Sequence, residues 1–207
     1  KITLLSPDDE VIDEIIVPVS PRPGLSFGTD ANDSTQRGWL PRATPLSQNG
    51  NIAETLLSPP LFSFDTAFFD DKVILQLKNP EKNPQESVIR YTTDGSQPTE
   101  ESPIAPESIE LTKTTVFKAS TFAPKAIPSR VVTQTFINLG REVTLPIISL
   151  SINDKFLYDE EIGIYTAGKD DNQYKNYEND WHRPTTIEYF DTSGNSCINQ
   201  LGEVRIA

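Results

Sequence analysis

His182 is the only histidine in the 207 residues, so any serine or cysteine nucleophile that needs an imidazole base would have to use it. Its neighbours are Trp181, Arg183 and Pro184, and no Gly-x-Ser-x-Gly elbow occurs in the chain. A lone imidazole without a paired nucleophile motif reads as a structural or surface side chain. Phosphate chemistry finds no support either, because there is no Gly-x-Gly-x-x-Gly and no Gly-Lys followed by Ser or Thr. Cys197 is the sole cysteine, which excludes an internal disulfide and a cysteine-built zinc centre.

Oxygen-rich stretches are the next candidates. Asp30-Ala-Asn32-Asp33-Ser34 opens like a calcium loop, but the sixth position, which needs glycine, is Thr35, and the twelfth, which needs glutamate, is Pro41. A looser site there or at Asp170-Asp171-Asn172 competes with Asx turns, the commoner use of such clusters. The pairs Glu100-Glu101 and Glu160-Glu161 read as solvated acids, since nothing in the sequence sets the carboxylate separation that glycoside chemistry demands. Tyr174, Tyr177 and Trp181 lie close together in an Asn- and Asp-rich stretch, where flat rings beside amides and carboxylates can hold sugar faces. They are the candidate ligand contacts, although stapling of a loop onto a sheet is the preferred role for rings of that size. No catalytic, cofactor-binding or metal-binding residue is expected, and no cofactor.

The elements that would position these residues are strands. Seventeen prolines sit between short β-branched and aromatic runs, where they punctuate strands. Lys1–Leu5 and Val11–Val17 flank the turn residues Ser6-Pro-Asp-Asp-Glu10 and predict a hairpin. Pro18–Asn51 is mostly loop, with Leu25-Ser-Phe27 and Trp39-Leu40 as apolar anchors. Two strands cannot bury a stable core alone, so this segment is expected to be the tail of a larger sheet. Between Leu61 and Ile137 the strand-like runs are Leu61–Phe64, Lys72–Lys78, Ser87–Thr93, Ser108–Leu111, Thr115–Phe122 and Arg130–Ile137, a spacing that suggests a sandwich. Val73–Leu77 and Thr115–Phe122 alternate apolar with polar residues, which predicts one buried and one solvated face. From Val143 onward, strands are expected at Leu145–Leu150, Thr186–Phe190 and Glu203–Ile206, with a turn at Asp191–Asn195 and a helical turn within Asn153–Glu161.

The formal charge of −12 repels polyanions and argues against a nucleic-acid partner. Apolar runs such as Val73–Leu77 and Ile147–Leu150 fall far short of the roughly 18 residues that suggest a membrane span. A sequence that starts at Lys1 and holds no methionine is expected to be part of a longer polypeptide.

Three resemblances overlay this reading. Phe62-Ser63, the run Ile89-Arg-Tyr-Thr-Thr-Asp-Gly-Ser-Gln-Pro-Thr99, Thr114-Thr-Val-Phe-Lys-Ala119 and the Ser129–Thr135 strand resemble the chitobiase/β-hexosaminidase C-terminal type of module over about eighty positions. The resemblance implies an immunoglobulin-like accessory sandwich without catalytic residues; Pro103-Ile-Ala-Pro-Glu107 departs from the family's tyrosine-containing run. Leu145-Pro-Ile-Ile-Ser-Leu150, Gly163-Ile-Tyr165, Asn176-Tyr177, Trp181-x-Arg183-Pro184, Glu188-x-Phe190-Asp191 and Gly194 are similar to the beginning of the spore-coat CotH-type kinase-like family, in which the nucleotide- and metal-binding residues come later. Leu4-Leu5, Val11-Ile-Asp13, Ser26-Phe27-Gly28 and Ala43-Thr-Pro45 resemble the closing strands of a lamin-tail-type domain.

The expectation is therefore an all-β chain, with a central immunoglobulin-like sandwich flanked by incomplete β-rich segments. The expected divisions are a partial lamin-tail-like segment at 1–51, a linker at 52–60, the sandwich at 61–138, a linker at 139–144 and a truncated CotH-type start at 145–207. The expected role is non-catalytic spacing or interaction in an extracytoplasmic, secreted or cell-surface bacterial protein. The expected partners are the remainder of its own polypeptide and cell-surface glycan. A carbohydrate-binding module and the N-terminal part of an atypical kinase-like enzyme are the alternatives.

Overall fold

The computed structural model describes residues 1–18, 25–41, 43–64, 66–140, 142–169 and 175–206. The chain is nearly all β. In chain order the strands are β1 (Ile2–Leu5), β2 (Val11–Ile15), β3 (Ser26–Thr29), β4 (Arg37–Leu40), β5 (Thr55–Leu56), β6 (Leu61–Ser63), β7 (Phe68–Phe69) and β8 (Val73–Lys78). They continue as β9 (Val88–Thr92), β10 (Ser108–Leu111), β11 (Thr115–Phe122), β12 (Ala126–Ile127), β13 (Val132–Asn138), β14 (Ile147–Ile152), β15 (Arg183–Phe190) and β16 (Ser196–Val204), with a short helix α1 (Asp154–Tyr158) after β14.

Two compact units emerge. Lys1–Leu57 together with Ala123–Pro128 form one; Ser58–Phe122 together with Ser129–Ala207 form the other. Residues 61–138 and 145–207 thus share a unit, and a six-residue excursion after β11 belongs with the N-terminal residues.

In the first unit, β1 and β2 form the expected hairpin, β3 pairs with β4, and β5 runs parallel to β12. Phe27 and Trp39 meet edge to face at 5.1 Å, so the two apolar anchors pack on each other. Asp30 organises the loop: its carboxylate accepts from the amides of Asn32, Asp33 and Ile52. Those donors, Ile52 first, hold its carboxyl below the ordinary range. Arg37 grips the Asp13 carboxylate at 2.7 and 2.9 Å and the Glu14 carbonyl at 2.6 Å, joining the two hairpins.

The second unit holds the sandwich. One sheet has the order β10-β8-β6 and the other β7-β13-β11-β9. Val73, Leu75 and Leu77 of β8 point inward while Ile74, Gln76 and Lys78 point out, matching the alternation in the sequence. Opposite them, Phe117, Ala119, Ile89 and Phe136 complete the core, with Tyr91 stacked on Phe117 at 5.2 Å between ring centres. Strands at 61–63, 73–78, 88–92, 108–111, 115–122 and 132–138 coincide with the runs read from the sequence.

Two expectations need correction. β11 is buried on both faces apart from half-buried Val116, so Lys118 and Ser120 are not solvated. The last strand is Ser196–Val204 rather than Glu203–Ile206: it begins directly after the Asp191–Asn195 turn and pairs with β15 as a hairpin. Its exposed, polar-rich start, Ser196-Cys-Ile-Asn-Gln200, masks the strand pattern.

Candidate functional site

β14, β15 and β16 make a third, antiparallel sheet in the order β14-β15-β16. Alternation along β15 puts Thr186, Glu188 and Phe190 on one face and Ile187 and Tyr189 on the other. Cross-strand register aligns Ser149, Glu188 and Asn199 in one inner row and Ile148, Tyr189 and Ile198 in one outer row. The inner face lies against β13. Thr186 meets Thr133 and Glu188 meets Thr135, both at an offset of 53 residues, so β15 runs in step with β13.

The polar row is the one that packs inward. Glu188 has no solvent exposure. Its carboxylate accepts from the Thr135 amide at 2.9 Å, from the Thr135 hydroxyl, and from Asn199 Nδ2 at 3.4 Å. Ser149 Oγ and Thr135 Oγ1 lie 2.9 Å apart beside it. Burial pushes the Glu188 carboxyl above its usual range, against the pull of the Thr135 donors and the Lys118 charge. Lys118, from β11, is likewise pushed down by burial. Its ammonium donates to the Gly95 carbonyl at 2.8 Å.

That carbonyl belongs to the turn read from the sequence. Gly95 has φ +81°, a conformation that favours glycine, and a Cβ there would come within 3.3 Å of the Ile152 carbonyl. Asp94 accepts from the amide and hydroxyl of Ser96, the hydroxyl first among the causes that lower its carboxyl pKa. At the other end of the seam an apolar contact takes over: Phe190 and Phe68 lie 5.7 Å apart, joined by Ala67, Ile137 and Ile147. Gly194, at φ +81°, lets the β15–β16 turn approach so closely that a Cβ would sit 2.8 Å from the Phe68 ring.

The outer row is apolar and faces solvent. Ile148 is 64% exposed, Leu150 58% and Ile198 46%. A sheet with its polar side packed and its aliphatic side wet reverses the usual arrangement, and contiguous exposed apolar surface marks an interaction site.

Of the aromatic candidates, Tyr177 lies in a single 3₁₀ turn, Asn176–Glu178, with its ring half in solvent. Trp181 is partly buried, and the Arg183 guanidinium sits 4.8 Å above its ring, which occupies one face. Tyr174 and Asp170–Asn172 lie outside the described residues. Asn176 is fully buried and donates to the Glu160 carbonyl, which ties this loop to the stretch after α1. His182 is exposed, 3.3 Å from Glu203 and 3.6 Å from Asp180. Among the described residues no His, Cys, Asp and Glu cluster has metal-binding geometry.

A separate groove of about 730 Å³ opens where the two sandwich sheets part, lined by Gln76, Lys78, Ser87, Ile104, Glu107 and Ser108 among others. The departing run Pro103–Glu107 creates it. Pro103 and Ala105 bond to β9 while Glu107 bonds to Leu77 of β8, so the chain crosses from one sheet to the other.

Glu188, Asn199 and Lys118 were not expected as functional residues. Glu188 entered the sequence reading only within the Glu188-x-Phe190-Asp191 run, and nothing in the sequence marks it as buried.

Residues 75–136 match the model of the family described as Fn3 associated. No curated protein and no solved structure matches the chain. The matched stretch runs from β8 to β13, the span of most of the sandwich core. No helix among the described residues is long and apolar enough to cross a membrane, which leaves β-barrels unaddressed.

Proposed function

We propose that this chain is a non-catalytic spacer and interaction region of a secreted or cell-surface CotH-type multidomain protein, and that its main partner is the remainder of its own polypeptide. The observation that carries this reading is the wet aliphatic face of the third sheet: Ile148, Leu150 and Ile198 are arranged to be covered, not to face water. The Fn3-associated match supports an accessory sandwich in a multidomain setting. The resemblance of residues 145–207 to the start of the CotH-type family, and of 61–138 to the chitobiase type, supplies the finer assignment. Carbene footprinting of this chain and of a longer polypeptide that continues beyond it tests the idea. Ile148, Leu150 and Ile198 label in the shorter chain and are protected in the longer one; equal labelling in both overturns the reading.

Glycan binding is the second reading, favoured by the half-exposed Tyr177 ring near the polar loop. It predicts saturable binding lost in Tyr177→Ala. Nucleotide and Mg²⁺ belong, on this reading, to residues outside this chain, so they leave its melting temperature unchanged; a ligand at a hundredfold excess over Kd would add about 2.7 kcal/mol.

A further inference from the structure

Among the described residues, the edge of β13 has a parallel neighbour only at one end, where the amides of Ile137 and Leu139 bond to the carbonyls of Ala67 and Phe69 flanking and within β7. Further back on the same edge, two side chains occupy the place of a strand. Asn199 Nδ2 donates to the Thr133 carbonyl at 2.7 Å, and the Thr135 amide donates to Glu188 Oε1 at 2.9 Å. A carbonyl at one residue and an amide two residues on are the groups that a single residue of a parallel strand would satisfy with its own amide and carbonyl. The carboxamide and carboxylate, 3.4 Å apart, supply one donor and one acceptor in that spacing. One half of this pair can ionise.

We propose that Glu188 and Asn199 act as a side-chain surrogate for a missing strand residue, and that this makes the docking of the β14–β16 sheet onto β13 pH-responsive, tight while Glu188 carries a proton and looser once it ionises. Glu188 is fully buried, and among the described residues no cation lies within ion-pair distance of it. Lys118 on β11 is the charged group that acts on it, but the Lys118 ammonium is committed to Gly95 and also senses Asp94 beyond that turn. From β14 and β16 only the neutral Ser149 and Asn199 face the carboxylate. A carboxylate so placed loses hydration without a contact ion pair in return.

The sign follows from burial, which raises the folded-state carboxyl pKa. Stability from this group is complete below the unfolded glutamate value of about 4.3 and is lost as pH climbs through the higher folded value. Lys118 is shifted the opposite way, so its contribution is complete above the ordinary lysine range and declines as pH falls through its lowered value. A residue-specific readout separates the two.

Carbon-13 NMR of the Glu188 carboxyl between about pH 3 and pH 9, read beside hydrogen-exchange protection of the Thr135 amide, is the experiment. The expected result is a carboxyl midpoint above that of an unfolded glutamate. Thr135 protection then falls by about tenfold for each pH unit between the unfolded and folded values, while protection of the Leu75 amide in the sandwich holds. In Glu188→Gln the Thr135 protection no longer varies with pH. A midpoint at or below the ordinary glutamate value overturns the proposal, as does Thr135 protection that ignores the titration. Should Glu188→Gln fail to fold, the wild-type titration still decides.

Discussion

The sandwich and the sheet packed on it use alternation in opposite senses. In β8 Val73, Leu75 and Leu77 turn inward while Ile74, Gln76 and Lys78 turn outward; in the β14–β16 sheet Ser149, Glu188 and Asn199 turn inward while Ile148, Leu150 and Ile198 meet solvent. The first arrangement draws its stability from area removed from water. The second relies on hydrogen bonds, a weaker and more conditional source, because each buried group left unpaired, as the Ser151 hydroxyl on the same face is, costs more than each bond made contributes. A sheet attached in that way keeps its apolar side for something else.

The contrast makes a graded set of expectations. Phe117→Ala, at the centre of the apolar core, destabilises the second unit by about 3–5 kcal/mol in urea unfolding. If it costs less than a seam substitution, the ranking of the two packings is reversed. Thr135→Val preserves shape but removes the hydroxyl shared by Glu188 and Ser149, and costs about 1–3 kcal/mol by the same measurement. A neutral result would mean that the seam tolerates a missing donor. Leu150→Ser, on the wet face, changes stability by no more than about 0.5 kcal/mol and reduces binding of a hydrophobic dye. A large loss of stability there would show that the outer face is already packed in the isolated chain.

Much of the sandwich was legible because its strands obey simple rules. Short β-branched runs between prolines and turn residues mark β6, β8, β9, β10, β11 and β13, and Asp94-Gly95-Ser96 announces a turn whose positive φ needs glycine. What escaped was the layer on top. Thr133, Thr135 and Lys118 alternate with Gln134, Phe136 and Phe117, and period-two logic sends the first set to water. Only a distant segment that offers Glu188 and Asn199 makes that face an interior, and no local pattern records the offsets of 53 residues from Thr135 to Glu188 and 66 from Thr133 to Asn199. β16 was missed for a related reason: nearly all of it is exposed, so its composition carries little strand signal. Trp181 was legible as a residue, but the guanidinium of Arg183 over its ring was not.

The pairing of Thr55 and Leu56 with Ala126 and Ile127 imposes a timetable on synthesis. The N-terminal unit has no partner for β5 until the excursion at Ala123–Pro128 has been made. Ribosomes add about 5–20 residues each second, so the first fifty-seven residues wait several seconds with Leu57 lacking the Ile127 carbonyl that its amide will meet. Most of the sandwich emerges in that interval, and a chain that ends before Pro128 never closes its first unit.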